Sequence, residues 1–233
     1  VLFETRDARG ERLVIRRDSR PEAVIDDVER TLERLGVERL ALVQIHQPDL
    51  RTPIGETMGA LRDLQEANLV GHIGVCNFDA RQLRAAGAAL GGGRLFSLQT
   101  EYSLIQRRCE TELLPACRQQ HVEVLAYSPL AGGRLAGASL PDDPVLARAV
   151  VTGLRAQAER SDTIPAAVAL RWVLERTGIR SVITGASEPA QLQAQQAAVN
   201  LPITAEEVTE LGAIFARAAA AERRRTDGGW MPA

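Results

Sequence analysis

The most constraining stretch of the chain is Leu40 to Asp49, LALVQIHQPD, an apolar run too short for a free-standing helix and closed by Pro48-Asp49. A run of that length with a Pro-Asp stop reads as a buried strand, and it leaves His46 at the carboxyl tip. Five other stretches follow the same grammar: VLFETR at Val1 to Arg6, GHIGVCNF at Gly71 to Phe78, LFSLQTEY at Leu95 to Tyr102, EVLAYSPL at Glu123 to Leu130, and SVITGA at Ser181 to Ala186. Helical segments separate them. Ser19-Arg20-Pro21-Glu22 fits a capping box ahead of a helix that lines up Ile25, Val28, Leu32 and Leu35, with Gly36 as its left-handed exit. Thr52-Pro53 opens a second helix and Asp79 with Gln82 a third. Later helices are expected at Glu110 to Gln120, Val145 to Arg160, Pro165 to Thr177, Ser187 to Val199, and from Thr204 onward.

Strands that are continuously apolar and alternate with helices imply a parallel sheet covered on both faces. Arg6, His46, Asn77, Gln99, Tyr127 and Gly185 all fall at or near strand tips. A closed (β/α) TIM barrel gathers every such tip round one mouth, whereas a doubly wound sheet uses only those beside its switch point. The expected fold is therefore α/β, a (β/α)8 barrel that is incomplete and lacks its first two β/α units, with the missing part ahead of Val1. One domain spans 1–220, and 221–233 is expected to be a poorly ordered tail.

The 233 residues are 45% apolar with a formal net charge of −2, enough for one large core and without the basic footprint of a nucleic-acid or anionic-membrane binder. The basic cluster Arg223 to Arg225 reads as solvated surface on a terminal helix. Cys76, Cys109 and Cys117 lack metal-ligand spacing and fit a reduced, cytoplasmic protein. All 28 basic side chains are arginine, so any mechanism that requires a lysine fails on this chain.

LVQIHQPD, TPIGETMGAL, GHIGVCNF, SLQTEYSL, LAYSPL and SVITGAS, in this order, resemble the aldo/keto reductases, NAD(P)H-dependent (β/α)8 barrels, from Val1 to about Leu211. The resemblance implies reduction of an aldehyde or ketone to an alcohol with NADPH (or NADH) as cofactor and a small-molecule carbonyl substrate, without metal, nucleic acid or membrane. His46 matches the histidine that orients the carbonyl. Asn77 and Gln99 match the pair that grips the nicotinamide carboxamide, and Tyr127 the ring that stacks on the nicotinamide. Ser128, Leu130, Gly132 and Arg134 fall on the loop over the pyrophosphate. Gly185, Ser187, Gln191 and Gln195 fall on the segment that holds the adenosine end.

The departures matter as well. The family's acid is a tyrosine assisted by a lysine and an aspartate; tyrosine and aspartate belong to the segment that would precede Val1, and the lysine position carries Arg6. Arginine is permanently charged, planar and bulkier than an ammonium, which makes it a poor stand-in. Ala194-Gln195 replaces the family's Glu-Asn pair. A chain without the proton donor is expected to reduce carbonyls little or not at all. The alternative is a non-catalytic nucleotide-binding or regulatory protein, since potassium-channel β subunits resemble these reductases too. Substrate identity, NADH versus NADPH, and oligomeric state stay open.

Overall fold

The computed structural model describes the backbone of residues 2–6, 12–137 and 145–227, and the side chains of residues 17–137 and 145–222. The chain divides into two compact units, Val1–Thr100 with Glu112–Val124, and Glu101–Thr111 with Leu125–Ala233.

The first unit begins with β1 (Leu2–Arg6) paired antiparallel to β2 (Arg12–Arg16), with Arg6 opposite Arg12. This corrects the expectation of a barrel strand at Val1 to Arg6 followed by a charged loop, because the two strands form a sheet of their own. Leu13-Val14-Ile15 is a β-favouring run whose flanking arginines disguise it as loop.

Helix α1 (Pro21–Leu35) is capped at Arg20 without a side-chain bond, so Ser19 is not the cap expected for it. Ser19 is buried, its N–H donating to Asp49 Oδ2 at 3.3 Å and its carbonyl accepting from Thr57 Oγ1 at 2.7 Å. Gly36 ends the helix at φ +64°, as its position predicts. The Asp49 carboxylate also accepts from the Arg51 N–H and Thr52 Oγ1, both at 3.1 Å. Burial pushes this carboxyl up, but the hydrogen bonds outweigh burial and hold it below the usual range.

Strand β3 (Leu40–Ile45) runs parallel to β4 (Val70–Cys76), and β4 to β5 (Leu95–Glu101). Helices α2 (Ile54–Glu66) and α3 (Ala80–Ala89) connect them, and Met58, Leu61, Ile73, Val75, Phe78, Leu83 and Leu98 form the core of this unit. The expected capping box of α3 is complete, Gln82 N to Asp79 Oδ1 at 2.7 Å and Asp79 N to Gln82 Oε1 at 2.9 Å. β3 is half-exposed rather than buried, because β4 is its one strand neighbour among the described residues. Between Ile73 and Gly74 the β4–β5 register slips by one residue, a bulge that brings Ser97 opposite Gly74 and Gln99 opposite Cys76. Helix α4 (Leu113–Gln119) follows, later than the expected start at Glu110, which instead closes a 3-10 turn, Arg108–Glu110.

The boundary between the units falls inside β6 (Glu123–Tyr127). In the second unit α5 (Val145–Arg160) packs on α6 (Pro165–Leu174) and on α8 (Ala205–Asp227), and α6 packs on β7 (Ile179–Ile183) and α7 (Pro189–Asn200). The capping pair Thr204 and Glu207 is reciprocal, at 2.8 and 3.2 Å. α8 continues to Asp227, which corrects the expected tail from 221 as far as that residue; 228–233 lie outside the described residues.

At the centre of the second unit Trp172 is fully buried and donates through Nε1 to the Val208 carbonyl at 3.0 Å. The guanidinia of Arg107 and Arg176 lie 5.1 and 5.0 Å from its ring centre. Both arginines converge on Glu110, Arg107 through a fork of two 2.9 Å bonds and Arg176 at 3.6 Å.

Candidate active site

In the first unit the polar residues cluster at the carboxyl ends of β3, β4 and β5. His46 follows β3 directly and is exposed. Asn77 follows β4 with φ +61°, a left-handed turn that asparagine tolerates better than most residues. Its N–H donates to the Gln99 carbonyl at 2.9 Å and its Nδ2 to the His46 carbonyl at 3.1 Å. One residue thus ties the three strand ends together. Nδ2 also lies 3.3 Å from Cys76 Sγ, a thiol that burial pushes up to about 11.

Behind this tip lies a row of polar side chains. The register places Gln44 opposite Gly74 and Gly74 opposite Ser97. Because glycine has no side chain, Gln44 reaches across β4 to donate from Nε2 to Ser97 Oγ at 3.0 Å, and its Oε1 accepts from Gln99 Nε2 at 3.0 Å. A Cβ on Gly74 would stand 2.4 Å from Ser97 Oγ and 3.0 Å from Gln44 Cγ. Gln44, Gly74 and Ser97 were not among the residues expected from sequence to serve the site. Their signal there is faint, since it depends on a bulge that no spacing rule announces.

The second unit holds the other expected residues. Tyr127 ends β6, half-buried, and its carbonyl accepts from the Tyr102 N–H at 3.2 Å. The turn after it contains four residues at positive φ, Ser128 (+51°), Ala131 (+50°), Gly132 (+67°) and Gly133 (+91°), and is closed by Ala131 N to Ser128 O at 2.9 Å and Leu135 N to Leu130 O at 3.1 Å. A Cβ on Gly132 or Gly133 meets nothing within 4 Å, so within the protein these glycines serve backbone conformation. Leu130 is buried, while Ser128, Gly132 and Arg134 are exposed.

Gly185 and Ser187 are exposed in the loop between β7 and α7. Gln191 Oε1 accepts the Ser187 N–H at 3.0 Å. Gln195 is buried, with Nε2 donating to the Gly185 carbonyl and Oε1 accepting from Thr184 Oγ1, both at 3.1 Å. Its carboxamide therefore shapes the loop from within. Arg6 closes β1 in the antiparallel hairpin, and its side chain lies outside the described residues.

The chain has two tyrosines, Tyr102 and Tyr127. Tyr102 is fully buried and donates to Glu110 Oε1 at 2.5 Å while accepting from Arg176 Nε at 3.2 Å. Burial first, and then the Glu110 carboxylate, push its hydroxyl far above the ordinary phenol range. That phenol is a structural donor. Among the described residues no group of three His, Cys, Asp or Glu side chains forms a metal site, and no helix is long and apolar enough to cross a membrane.

Comparison with known proteins agrees with this architecture. The model of the Aldo/keto reductase family matches residues 12–216. The NADH-specific methylglyoxal reductase of Escherichia coli is 32% identical over 209 residues, 81% of this chain and 63% of that protein. An uncharacterized oxidoreductase of Bacillus subtilis, YrpG, is 34% identical over 202 residues, 81% of this chain and 62% of that protein. The chain thus spans somewhat over three-fifths of the length of these relatives, 63% and 62%. A glycerol dehydrogenase structure from Gluconobacter oxydans superposes with a TM-score of 0.82 at 29% identity, covering 93% of this chain and 70% of the other. On the family match, the relatives and the parallel strands with polar tips, this chain belongs to the aldo/keto reductase family.

Proposed function

We propose that the chain carries the nicotinamide-nucleotide site of an oxidoreductase that interconverts small aldehydes or ketones and their alcohols. The observation that carries this reading is the amide array at the ends of β3, β4 and β5. Asn77 is locked across the three tips, and Gln99 has its Nε2 committed to Gln44, which leaves Gln99 Oε1 as the acceptor for a carboxamide N–H. An acceptor held in place at the strand ends suits the amino group of a nicotinamide carboxamide.

The second unit, taken by itself, carries groups of the kinds a dinucleotide uses. Tyr127 offers a ring at the end of β6, the turn from Ser128 to Gly133 presents backbone to open space, and α7 supplies a helix N-terminus at the exposed Gly185 to Ser187 loop. Helix N-termini with exposed N–H groups suit phosphate. When bound, the reduced nicotinamide supplies the hydride. His46, exposed at the β3 tip, would orient the carbonyl oxygen, and its backbone is fixed by Asn77. Arg6 would offer a permanent positive charge in place of the family's lysine.

Neither tyrosine of this chain is placed by the resemblance as the proton donor, and Tyr102 is committed to Glu110. The 233 residues alone are therefore expected to bind a nicotinamide dinucleotide and to turn over methylglyoxal or glyceraldehyde barely above background. Turnover by this chain at a rate of about 1 per second or more, within the ordinary enzyme range, would overturn the second half of this reading. A second reading, nucleotide binding in a regulatory role, draws support from Arg6, which ends a strand of the hairpin rather than one of the parallel sheet. Cys76 and Cys109 are buried thiols outside any disulfide, which supports a reducing, cytoplasmic setting.

A further inference from the structure

We propose that the first unit holds a second binding site, a preformed cleft for a small apolar monocarboxylate, where the loop of residues 47–52 meets helices α2 and α3. The cleft has a volume of about 230 Å³, and Ile45, Pro48, Leu50, Ile54, Phe78 and Ala85 supply its apolar walls. None of the residues proposed to hold the nucleotide lines it. A cavity of about 150 Å³ holds one benzene ring, and drug-sized ligands take about 300 Å³ or more. The cleft is therefore the right size for a single ring with a short arm and too small for a dinucleotide.

Its walls are pinned, which keeps the space open. Asp49 anchors the loop, with Oδ2 accepting from the Ser19 N–H at 3.3 Å and from Thr52 Oγ1 at 3.1 Å, and Oδ1 accepting from the Arg51 N–H at 3.1 Å. Thr57 Oγ1 ties α2 to the Ser19 carbonyl at 2.7 Å, and the capping box of Asp79 and Gln82 fixes the first turn of α3. Leu50 is held out from this loop, 81% exposed, beside a cleft that it lines without filling. A pocket that exists before its ligand arrives spares the cost of ordering its walls.

The polar groups in the lining choose the charge of the ligand. Arg81 borders the cleft from the first turn of α3, is exposed, and has no hydrogen bond or ion pair among the described residues. A cation in the first turn opposes the helix dipole, so helix stability does not account for it. Asp49 is the one carboxylate in the lining, and its oxygens are already taken by the donors named, with Arg51 Nε at 3.3 Å as counter-ion. An incoming carboxylate thus meets an unengaged guanidinium and a neutralised acid. The guanidinium takes the carboxylate through its N–H groups, and the apolar body of the ligand enters the cleft and covers Leu50.

The test is an NMR titration of the full chain with 3-phenylpropionate and with its uncharged analogue 3-phenylpropan-1-ol, with and without NADH. The acid is expected to bind saturably with a Kd on the order of 0.1–1 mM, to shift the methyl signals of Leu50 and Ile54, and to do so equally when NADH is present. Arg81→Met, a change at an exposed position that leaves the fold intact, is expected to weaken the acid about fivefold or more and to leave the alcohol unchanged. Ala85→Phe fills the cleft and is expected to abolish binding of both. An acid that does not saturate below about 10 mM, that binds Arg81→Met or Ala85→Phe as tightly as the unsubstituted chain, or that leaves the Leu50 and Ile54 signals in place overturns the proposal. Displacement of the acid by NADH would locate it in the nucleotide site and overturn it as well.

Discussion

Asn77 holds His46 by the backbone, its side-chain amide donating to the His46 carbonyl at 3.1 Å from a left-handed conformation at φ +61°. Two substitutions separate the two contributions. Asn77→Ala loses the bond and strains the backbone, and is expected to cost about 2 kcal/mol, whereas Asn77→Gly loses the bond without the strain and costs about 1 kcal/mol. Urea unfolding measures both. Equal losses would mean that the left-handed conformation is not under strain in the alanine variant.

A different residue governs the acid limit of stability. Burial raises the Glu110 carboxyl, but its bonds to Arg107 and Tyr102 outweigh this and leave it below the ordinary carboxylate range. A group depressed on folding contributes stability above its unfolded pKa and loses it as pH falls through the folded value. Stability is therefore expected to drop below about pH 4.5, and Glu110→Gln is expected to be less stable at pH 7 by roughly 2–3 kcal/mol while showing a shallower acid decline. Tyr102 has the opposite sign: its raised pKa keeps its contribution below the ordinary phenol pKa and loses it in strong alkali. Unfolding free energies from pH 3 to 7 check the Glu110 prediction, and parallel curves for the two proteins would contradict it.

The gap at Gly74 can be filled deliberately. Gly74→Ala forces its Cβ against Ser97 Oγ, 2.4 Å away, and is expected to cost about 1–3 kcal/mol through overpacking. Adding Ser97→Ala removes that oxygen and should recover part of the loss, although the Ser97 carbonyl remains 3.0 Å from the new Cβ. A double-mutant cycle on thermal unfolding measures the coupling. Strict additivity would show that the two positions do not share the space.

The thiols offer a check on burial. Cys76 and Cys109 are pushed up to about 11 and about 12 by burial, and Cys117 is buried as well. All three are expected to resist iodoacetamide at pH 8 in the native protein and to react in urea, as mass spectrometry would reveal. Rapid native labelling of Cys76 would place its side chain in solvent and contradict the packing around Asn77.

Much of this architecture is legible in the residues themselves. The strands that end at His46, Asn77 and Tyr127 and the helix boundaries at Gly36 and Asp79 follow from apolar runs and capping chemistry, which are local. What escaped is non-local. Ser19 looks like a cap but is drawn inward by Asp49 and Thr57, residues about thirty or more positions away. Val1 to Arg6 has the composition of a barrel strand, yet its partner is a strand hidden between arginines. Gln195 looks like a ligand-facing amide, and only the loop geometry shows both ends of it engaged by Thr184 and Gly185.

Titration of the full chain with NADH and NADPH reads out whether the Asn77 and Gln99 amides form part of a nicotinamide site, as proposed. Saturable binding of at least one of them is expected, weakened about tenfold or more when Gln99 is replaced by alanine. No binding by the unsubstituted chain, or binding indifferent to Gln99→Ala, would contradict it.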